Sequence, residues 1–307
     1  MRTTKKGNMT IASAAAVAFL AIASSIFGFF NKQDTKTVTD NNTQVITVHD
    51  NNGVKGELEV HFIDVGQGDA TLIKCNDHAM LIDAGDNSKG SAVRKYLLDN
   101  DVSKLDIVVG THPDSDHIGG LDVIVYNFPC DMIIMPDYSK DTKTYKELIY
   151  NIQYKNYKIT RPVSGAAYML GDAKVTIIGP VKDDYGDNAN NYSVVLKVDY
   201  GENSFLFTGD AGEESEMDIL ESKADIKADV YKVAHHGSYT SNTYDYLSKV
   251  KPSYAVISCG EDNAYGHPHQ VVTDRLEKLK VNILRTDLSG TIVAYSDGKN
   301  ITWTTEK

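Results

Sequence analysis

Two histidines and two aspartates fall within six positions of this chain, in the stretch Val109-Gly110-Thr111-His112-Pro113-Asp114-Ser115-Asp116-His117-Ile118-Gly119-Gly120-Leu121. The apolar run before it, Leu105 to Val109, predicts a buried strand, and the apolar spacing after it, Ile118 to Tyr126, predicts a helix. The four polar residues therefore sit on a strand-to-helix turn, where an open α/β sheet presents functional groups at the carboxyl ends of its strands. In the extended part of the turn His112 and Asp114 are two apart and share a side, while Asp116 and His117 enter the helix and face another. Two adjacent metal sites follow from that geometry. Gly119 and Gly120 lack Cβ atoms, so a second backbone or a bound ion can approach the start of the helix closely.

The rest of the chain repeats this pattern of strands ending in donors. Six of the nine histidines form three pairs: His112 with His117, His235 with His236, and His267 with His269. The apolar strand Phe205 to Thr208 ends in Gly209-Asp210, and a carboxylate so placed can bridge two cations about 3.5 to 4 Å apart. Val230 to Val233 runs into Ala234-His235-His236-Gly237-Ser238, and neutral imidazole is a common ligand for such cations.

Between these motifs lie two series of strands. The first comprises Leu58 to Val65, Ala70 to Lys74, Ala79 to Ile82, Leu105 to Val109, Met132 to Met135 and Lys158 to Val163, with helices at Gly90 to Asn100 and Thr142 to Lys155. The second comprises Val175 to Ile178, Ser193 to Tyr200, Ser204 to Thr208, Val230 to Val233 and Ala255 to Ser258. Its helices fall near Glu213 to Ser222, Thr243 to Val250 and Val271 to Leu279. The end is β-rich, with strands at Ile283 to Thr286, Gly290 to Tyr295 and Asn300 to Thr304. Two strand series flanked by helices predict a mixed α/β fold arranged as a four-layer αββα sandwich over residues 57–307.

The motif at His112 to His117 resembles the H-x-[HD]-x-D-H signature of the metallo-β-lactamase superfamily. Six motifs in order, over about residues 57 to 307, narrow the resemblance to the soluble hydrolase domain of ComEC-type competence proteins. They include Asp64-Val65-Gly66-Gln67-Gly68-Asp69, Asp83-Ala84-Gly85-Asp86, His235-His236-Gly237-Ser238 and Tyr265-Gly266-His267-Pro268-His269. The resemblance implies two divalent metal ions, zinc or manganese, held by His112, Asp114, Asp116, His117, Asp210 as the bridge, and His235 or His236. It implies catalytic roles for Asp116 and His267, with His267 and His269 near the substrate phosphate. The Asp64–Asp69 and Asp83–Asp86 motifs are read as structural turns, with Asp69 near the metal-bearing loop.

One departure stands out. Many superfamily members carry a histidine between the first motif and the bridging aspartate, and this chain has none from 118 to 234. Asn190-Asn191-Tyr192-Ser193 occupies that region, leaving Asn191 or Ser193 as a weak ligand or a substrate contact. Asp114 also stands where histidine is commoner, which makes the set harder and tolerant of manganese or iron as well as zinc.

The amino terminus carries Arg2, Lys5 and Lys6, and then Met9 to Phe30 run for 22 residues without a charge. At about 1.5 Å per residue such a helix is about 33 Å long, enough for a bilayer core of about 30 Å. Residues 1–30 are read as a membrane anchor with the catalytic part outside the cell. The alternative is a cleaved signal peptide with a site after Ala23, giving a secreted protein. Asn31 to Gly56 reads as a flexible stalk, in which Val45 to Val48 is a candidate strand.

Formal net charge is −11, and the part after residue 30 is more acidic still, with 28 basic against 42 acidic residues. That argues against tight nonspecific binding to long nucleic acid, though not against a local basic groove. Cys75, Cys130 and Cys259 are odd in number and far apart, so neither a disulfide framework nor a thiolate metal site is indicated.

Hydrolysis is the reaction that two adjacent cations support best. No serine elbow or C-x-x-C competes for the nucleophile, and no glycine-rich loop opening a helix suggests a nucleotide cofactor. The leading expectation is an exported, membrane-anchored, binuclear phosphodiesterase acting on DNA. The alternatives are a phosphocholine esterase of cell-surface polymers, a binding protein with a degenerate metal site, and, disfavoured by the His-His-Gly-Ser and Gly-His-Pro-His motifs, a β-lactam hydrolase.

Overall fold

The computed structural model describes residues 58–307 together with the backbone of 35–38 and 46–49. The segment read as a membrane anchor, 1–30, lies outside the described residues, as does most of the stalk. Within the stalk the expected strand is present: β1 (Thr35–Val38) pairs antiparallel with β2 (Ile46–His49).

The first half runs β3 (Leu58–Phe62), β4 (Thr71–Cys75), β5 (His78–Ile82), α1 (Gly90–Asp99), β6 (Leu105–Val109), α2 (Ser115–Ile118), α3 (Leu121–Asn127), β7 (Cys130–Ile134), α4 (Lys143–Tyr154) and β8 (Ile159–Thr160). The second runs β9 (Ala167–Leu170), β10 (Ala173–Gly179), β11 (Val195–Tyr200), β12 (Asn203–Phe207), α5 (Glu213–Ser222), β13 (Val230–Lys232), α6 (Tyr244–Val250), β14 (Tyr254–Ile257), α7 (Gln270–Lys278) and β15 (Asn282–Arg285). A last turn of helix, α8 (Thr286–Ser289), leads to β16 (Ile292–Ser296) and β17 (Ile301–Thr305).

These strands form two sheets. One has eight strands in the order β17-β16-β3-β4-β5-β6-β7-β8, and the other seven in the order β15-β14-β13-β12-β11-β10-β9. The carboxyl-terminal hairpin crosses back to the first sheet, where Ile292 pairs with Phe62.

Alternation along the strands builds the layers, because successive side chains leave opposite faces. Val60, Phe62, Met80 and Ile82 of the first sheet meet Leu196, Val198, Phe205 and Phe207 of the second in the core between the sheets. Phe62 and Phe207 stack across that interface with ring centroids 6.1 Å apart. On the outer face of the first sheet Leu72 and Leu81 pack against Val93, Leu97, Ile124 and Leu148 of α1, α3 and α4. On the outer face of the second, Leu206 and Tyr231 pack against Ile219, Leu247 and Leu276 of α5, α6 and α7. This is the expected αββα sandwich, and the three cysteines are buried in it as free thiols.

Three details differ from expectation. The helix expected from Ile118 to Tyr126 is two helices, α2 and α3, broken at Gly119-Gly120. The strand expected at Lys158 to Val163 shrinks to two residues, because it is the edge of its sheet. Strand β9 carries no apolar alternation strong enough to announce it, and it is also an edge strand.

Two blocks of parallel pairing, β5-β6-β7 and β12-β13-β14, put several strand ends side by side. Asp83 follows β5, Thr111 and His112 follow β6, Asp210 follows β12, and His235 and His236 follow β13.

Candidate metal centre

The loops at those strand ends are tied to one another by backbone bonds. The Asp83 N–H donates to Val109 O (2.9 Å), Asp69 N–H to Asp116 O (3.1 Å), Val194 N–H to Thr111 O (2.9 Å) and His235 N–H to Gly209 O (3.0 Å). The Gly119-Gly120 break lets the chain around Ala84 lie directly on the α2–α3 junction. Gly120 N–H donates to Gly85 O (3.0 Å), and Ala84 N–H to His117 O (2.8 Å). A Cβ on Gly120 would stand 2.3 Å from Ala84 O.

Four buried side chains from both halves converge. His117 Nε2 lies 3.1 Å from Asp210 Oδ1, His112 Nε2 3.9 Å from Asp210 Oδ2, and His236 Nε2 3.7 Å from Asp210 Oδ2. Asp116 closes the group, with Oδ2 3.3 Å from His236 Nε2. Their atoms form two overlapping candidate ligand sets, His112 with His117 and Asp210, and Asp116 with His117 and His236.

Each ring is held by its other nitrogen. His117 Nδ1 is 2.8 Å from Asp83 Oδ2. Thr111 donates its hydroxyl to the same carboxylate (2.6 Å), so its oxygen is left to accept from His112 Nδ1 at 3.1 Å. His236 Nδ1 faces the carbonyl oxygen of Ser258 at 2.9 Å, an atom that only accepts. A proton on each Nδ1 leaves Nε2 with its lone pair, the arrangement of a metal-ligating histidine held by an outer partner. The three Nε2 atoms and Asp210 Oδ1 are buried without a hydrogen-bond partner. Buried polar atoms are nearly always satisfied, so this cluster fits divalent cations.

The electrostatics agree. Burial alone would depress the His236 imidazole, but Asp210 and Asp69 outweigh it and push it up to about 10. Burial likewise opposes a charge on His117, and Asp210 and Asp83 hold it well above the usual histidine range. Burial opposes the charge on Asp210 too, and His117 and His236 keep its carboxyl well below the usual range. These carboxylates pull in positive charge, and a cation replaces the protons when it binds.

The other expected residues are placed as follows. Asp114 belongs to none of these ligand sets, and its carboxylate accepts from Lys140 Nζ at 2.6 Å. His235 Nε2 is 3.6 Å from Asp210 Oδ2, while its Nδ1 contacts Thr240 Oγ1 at 3.1 Å. His235 and His236 both have left-handed backbones. Asn191 accepts from Gly212 N–H (3.1 Å) and donates to Glu214 (3.3 Å). Ser193 Oγ accepts from the Asp210 N–H at 3.1 Å and lies 3.4 Å from His112 Nδ1. His267 stands above the centre, its ring 6.0 Å from that of His236, and is pushed down to about 4 by burial and by the imidazoles of His236 and His235. His269 accepts from Tyr239 N–H at 3.2 Å.

Two aspartates read as structural turns lie in the centre itself. Asp83 orients His117 and Thr111, and Asp69 sits 3.4 Å from His236 Nδ1 with the buried Lys232 Nζ 2.8 Å from its other oxygen. Asp83 stands at the end of an apolar strand, the signal that also picked out Asp210, whereas Asp69 lies in the turn between β3 and β4 and carried no such signal.

The metallo-beta-lactamase superfamily signature matches residues 63–261, a span that takes in Asp69, Asp83, the His112–His117 loop, Asp210 and the His235-His236 turn. The chain belongs to the metallo-β-lactamase superfamily. Among its superfamily relatives, ComE operon protein 3 of Bacillus subtilis (strain 168) is 30% identical over 257 residues, which cover 78% of this chain and 33% of that one. Recombination protein 2 of Haemophilus influenzae (strain ATCC 51907 / DSM 11121 / KW20 / Rd) is 33% identical over 242 residues, covering 78% and 29%. The chain thus spans about a third of the length of these relatives. Among solved structures, a mutant of the β-hydroxylase CmlA has a similar fold, with a TM-score of 0.50 at 12% identity, covering 76% of this chain and 53% of that one.

Proposed function

We propose that this metallo-β-lactamase-superfamily chain is a binuclear metal-dependent phosphodiesterase, with DNA as the favoured substrate. The observation that carries the reading is the convergence of three buried Nε2 atoms on the Asp210 carboxylate, each ring tied at Nδ1. His112, Asp116, His117, Asp210 and His236 would hold the cations between them, with zinc or manganese suited to this mixture of imidazole and carboxylate. Bound there, such cations supply Lewis acidity and a nucleophilic water near neutral pH.

The protein's own part is to orient and to exclude. Asp83 and Thr111 fix the tautomers of His117 and His112, and Ser193 fixes Asp210 through its backbone N–H. His267, neutral and at the edge of the centre, is placed to donate a hydrogen bond to a phosphoryl oxygen, its Nδ1 facing the Gln67 side-chain amide. The resemblance to competence relatives favours DNA over a phosphocholine polymer. Attachment to the membrane through residues 1–30, with the hydrolase outside the cell, belongs to the same proposal and rests on the uncharged run Met9 to Phe30 behind Arg2, Lys5 and Lys6.

The test is metal content together with hydrolysis of bis-p-nitrophenyl phosphate before and after chelation, followed by single-stranded DNA, double-stranded DNA and a phosphocholine ester. Two metals per chain, with activity restored by manganese or zinc and lost in Asp210→Asn, is the expected result. One metal or none, with no turnover after metal addition, would overturn the reading in favour of a binding protein.

A further inference from the structure

A series of rings leads from the metal centre to solvent. His117 and His236 have centroids 5.2 Å apart, His236 and His267 6.0 Å, and His267 and Tyr265 5.6 Å. The planes become more parallel outward, with interplanar angles of 40°, 31° and 16°. Tyr265 ends the series 67% exposed, whereas His267 beneath it is 8% exposed. One face of the tyrosine is therefore covered by imidazole and the other is open. A second ring, Tyr239, is 64% exposed and packs edge-on against His269, which meets His267 at 4.9 Å.

The base of this frame is fixed. Asn263 donates to His267 O (2.6 Å) and accepts from His267 N–H (2.9 Å), and Gln67 Nε2 lies 3.4 Å from His267 Nδ1. Gln67 is itself held by the Gly260 N–H at 3.2 Å. The position beside Tyr265 is open, since a Cβ on Gly266 would meet nothing within 4 Å. A single exposed aromatic ring needs no explanation, but one that stacks on a buried histidine beside the metal centre, on a pinned loop, does.

We infer that Tyr265, with Tyr239 at its side, is a specificity-determining platform on which a nucleobase next to the scissile phosphodiester stacks. The inference deepens the phosphodiesterase reading and rests on it. Parallel rings offer a flat heterocycle a π face, and base stacking on tyrosine tolerates any base. A quaternary ammonium would call for several ring faces turned toward one point, whereas Tyr265 lies 16° from the plane of His267 and offers a single open face.

The experiment uses the full-length chain and its Tyr265→Ala, Tyr265→Phe and Tyr239→Ala variants. Binding of a fluorescent phosphorothioate oligothymidylate is measured by anisotropy, and thermal unfolding confirms that each variant folds. In parallel, manganese-supported kcat/KM is measured for thymidine 5′-p-nitrophenyl phosphate and for methyl p-nitrophenyl phosphate, which share a leaving group and differ in the nucleoside. The expected result is about tenfold weaker oligonucleotide binding in Tyr265→Ala and a similar loss in the ratio of the two kcat/KM values, with Tyr265→Phe close to wild type. Oligonucleotide binding equal in wild type and Tyr265→Ala, or undetectable in wild type, overturns the platform. So does displacement of the oligonucleotide by phosphocholine that depends on Tyr265. Failure of wild type to turn over methyl p-nitrophenyl phosphate with any metal sinks the phosphodiesterase reading instead, and the binding arm still decides the platform.

Discussion

Asp83 and His117 form a buried pair in which Oδ2 lies 2.8 Å from Nδ1, while the opposite ring nitrogen lies 3.1 Å from Asp210. Asp83 thus acts on the centre through the histidine. An asparagine there keeps the shape but loses the charge, and its single oxygen cannot accept from the Thr111 N–H, which reaches Oδ1 at 2.8 Å, and from the Thr111 hydroxyl and His117 at Oδ2 at once. Asp83→Asn is expected to weaken metal affinity about 10- to 100-fold, read by competition with a chromogenic chelator, with an unchanged far-ultraviolet circular dichroism spectrum.

Lys232 is 2% exposed and pairs with Asp69 at 2.8 Å. Removing one partner of a buried pair strands the other's charge. Lys232→Met is expected to cost about 3 kcal/mol in urea unfolding, and Lys232→Met with Asp69→Asn to recover most of it. Equal stability of the single and double variants would show that the pair is not coupled.

Glu216 is buried on α5, where it accepts from the Asn242 N–H (2.5 Å) and from the Thr243 N–H and hydroxyl (2.9 and 2.7 Å). Burial outweighs these bonds and raises its carboxyl from 4.5 to about 7. The folded state then holds the proton more tightly than the unfolded one. The contribution is complete below pH 4.5 and is lost as pH rises through 7, by at most about 3 kcal/mol. Glu216→Gln is expected to flatten the decline of the melting temperature between about pH 4.5 and 7.5 relative to wild type.

At Gly120 the obstacle to a side chain is backbone, with Ala84 O 2.3 Å and Gly90 Cα 2.8 Å from a built Cβ. Backbone cannot rotate aside as a side chain can. Gly120→Ala is expected to destabilise by at least about 1 to 3 kcal/mol and to weaken metal binding, since α2 carries Asp116 and His117.

Much of this was legible in the sequence, because strands ending in donors are a local pattern. Leu105–Val109 before His112 and Phe205–Phe207 before Asp210 are short apolar runs whose ends can be read residue by residue. What could not be read is which strand ends become neighbours. Asp83 reaches His117 because β5 and β6 pair in parallel with Ile82 opposite Val109, a register that no local spacing encodes. Asp114 likewise has a neighbour that no local spacing reveals, since Lys140, 26 residues on, lies beside its carboxylate. The helix break at Gly119-Gly120 was visible as glycine, but its cause, the Ala84 backbone lying against it, is tertiary.

The ligand sets draw on both sheets, with His112, Asp116 and His117 from one and Asp210 and His236 from the other. Asp69, Asp83 and His117 could also group within the first half alone, but every set that includes Asp210 or His236 needs residues from both halves. A cation held by the sets that include Asp210 or His236 would work as a rivet through the seam, tying the loop after β6 to the loops after β12 and β13.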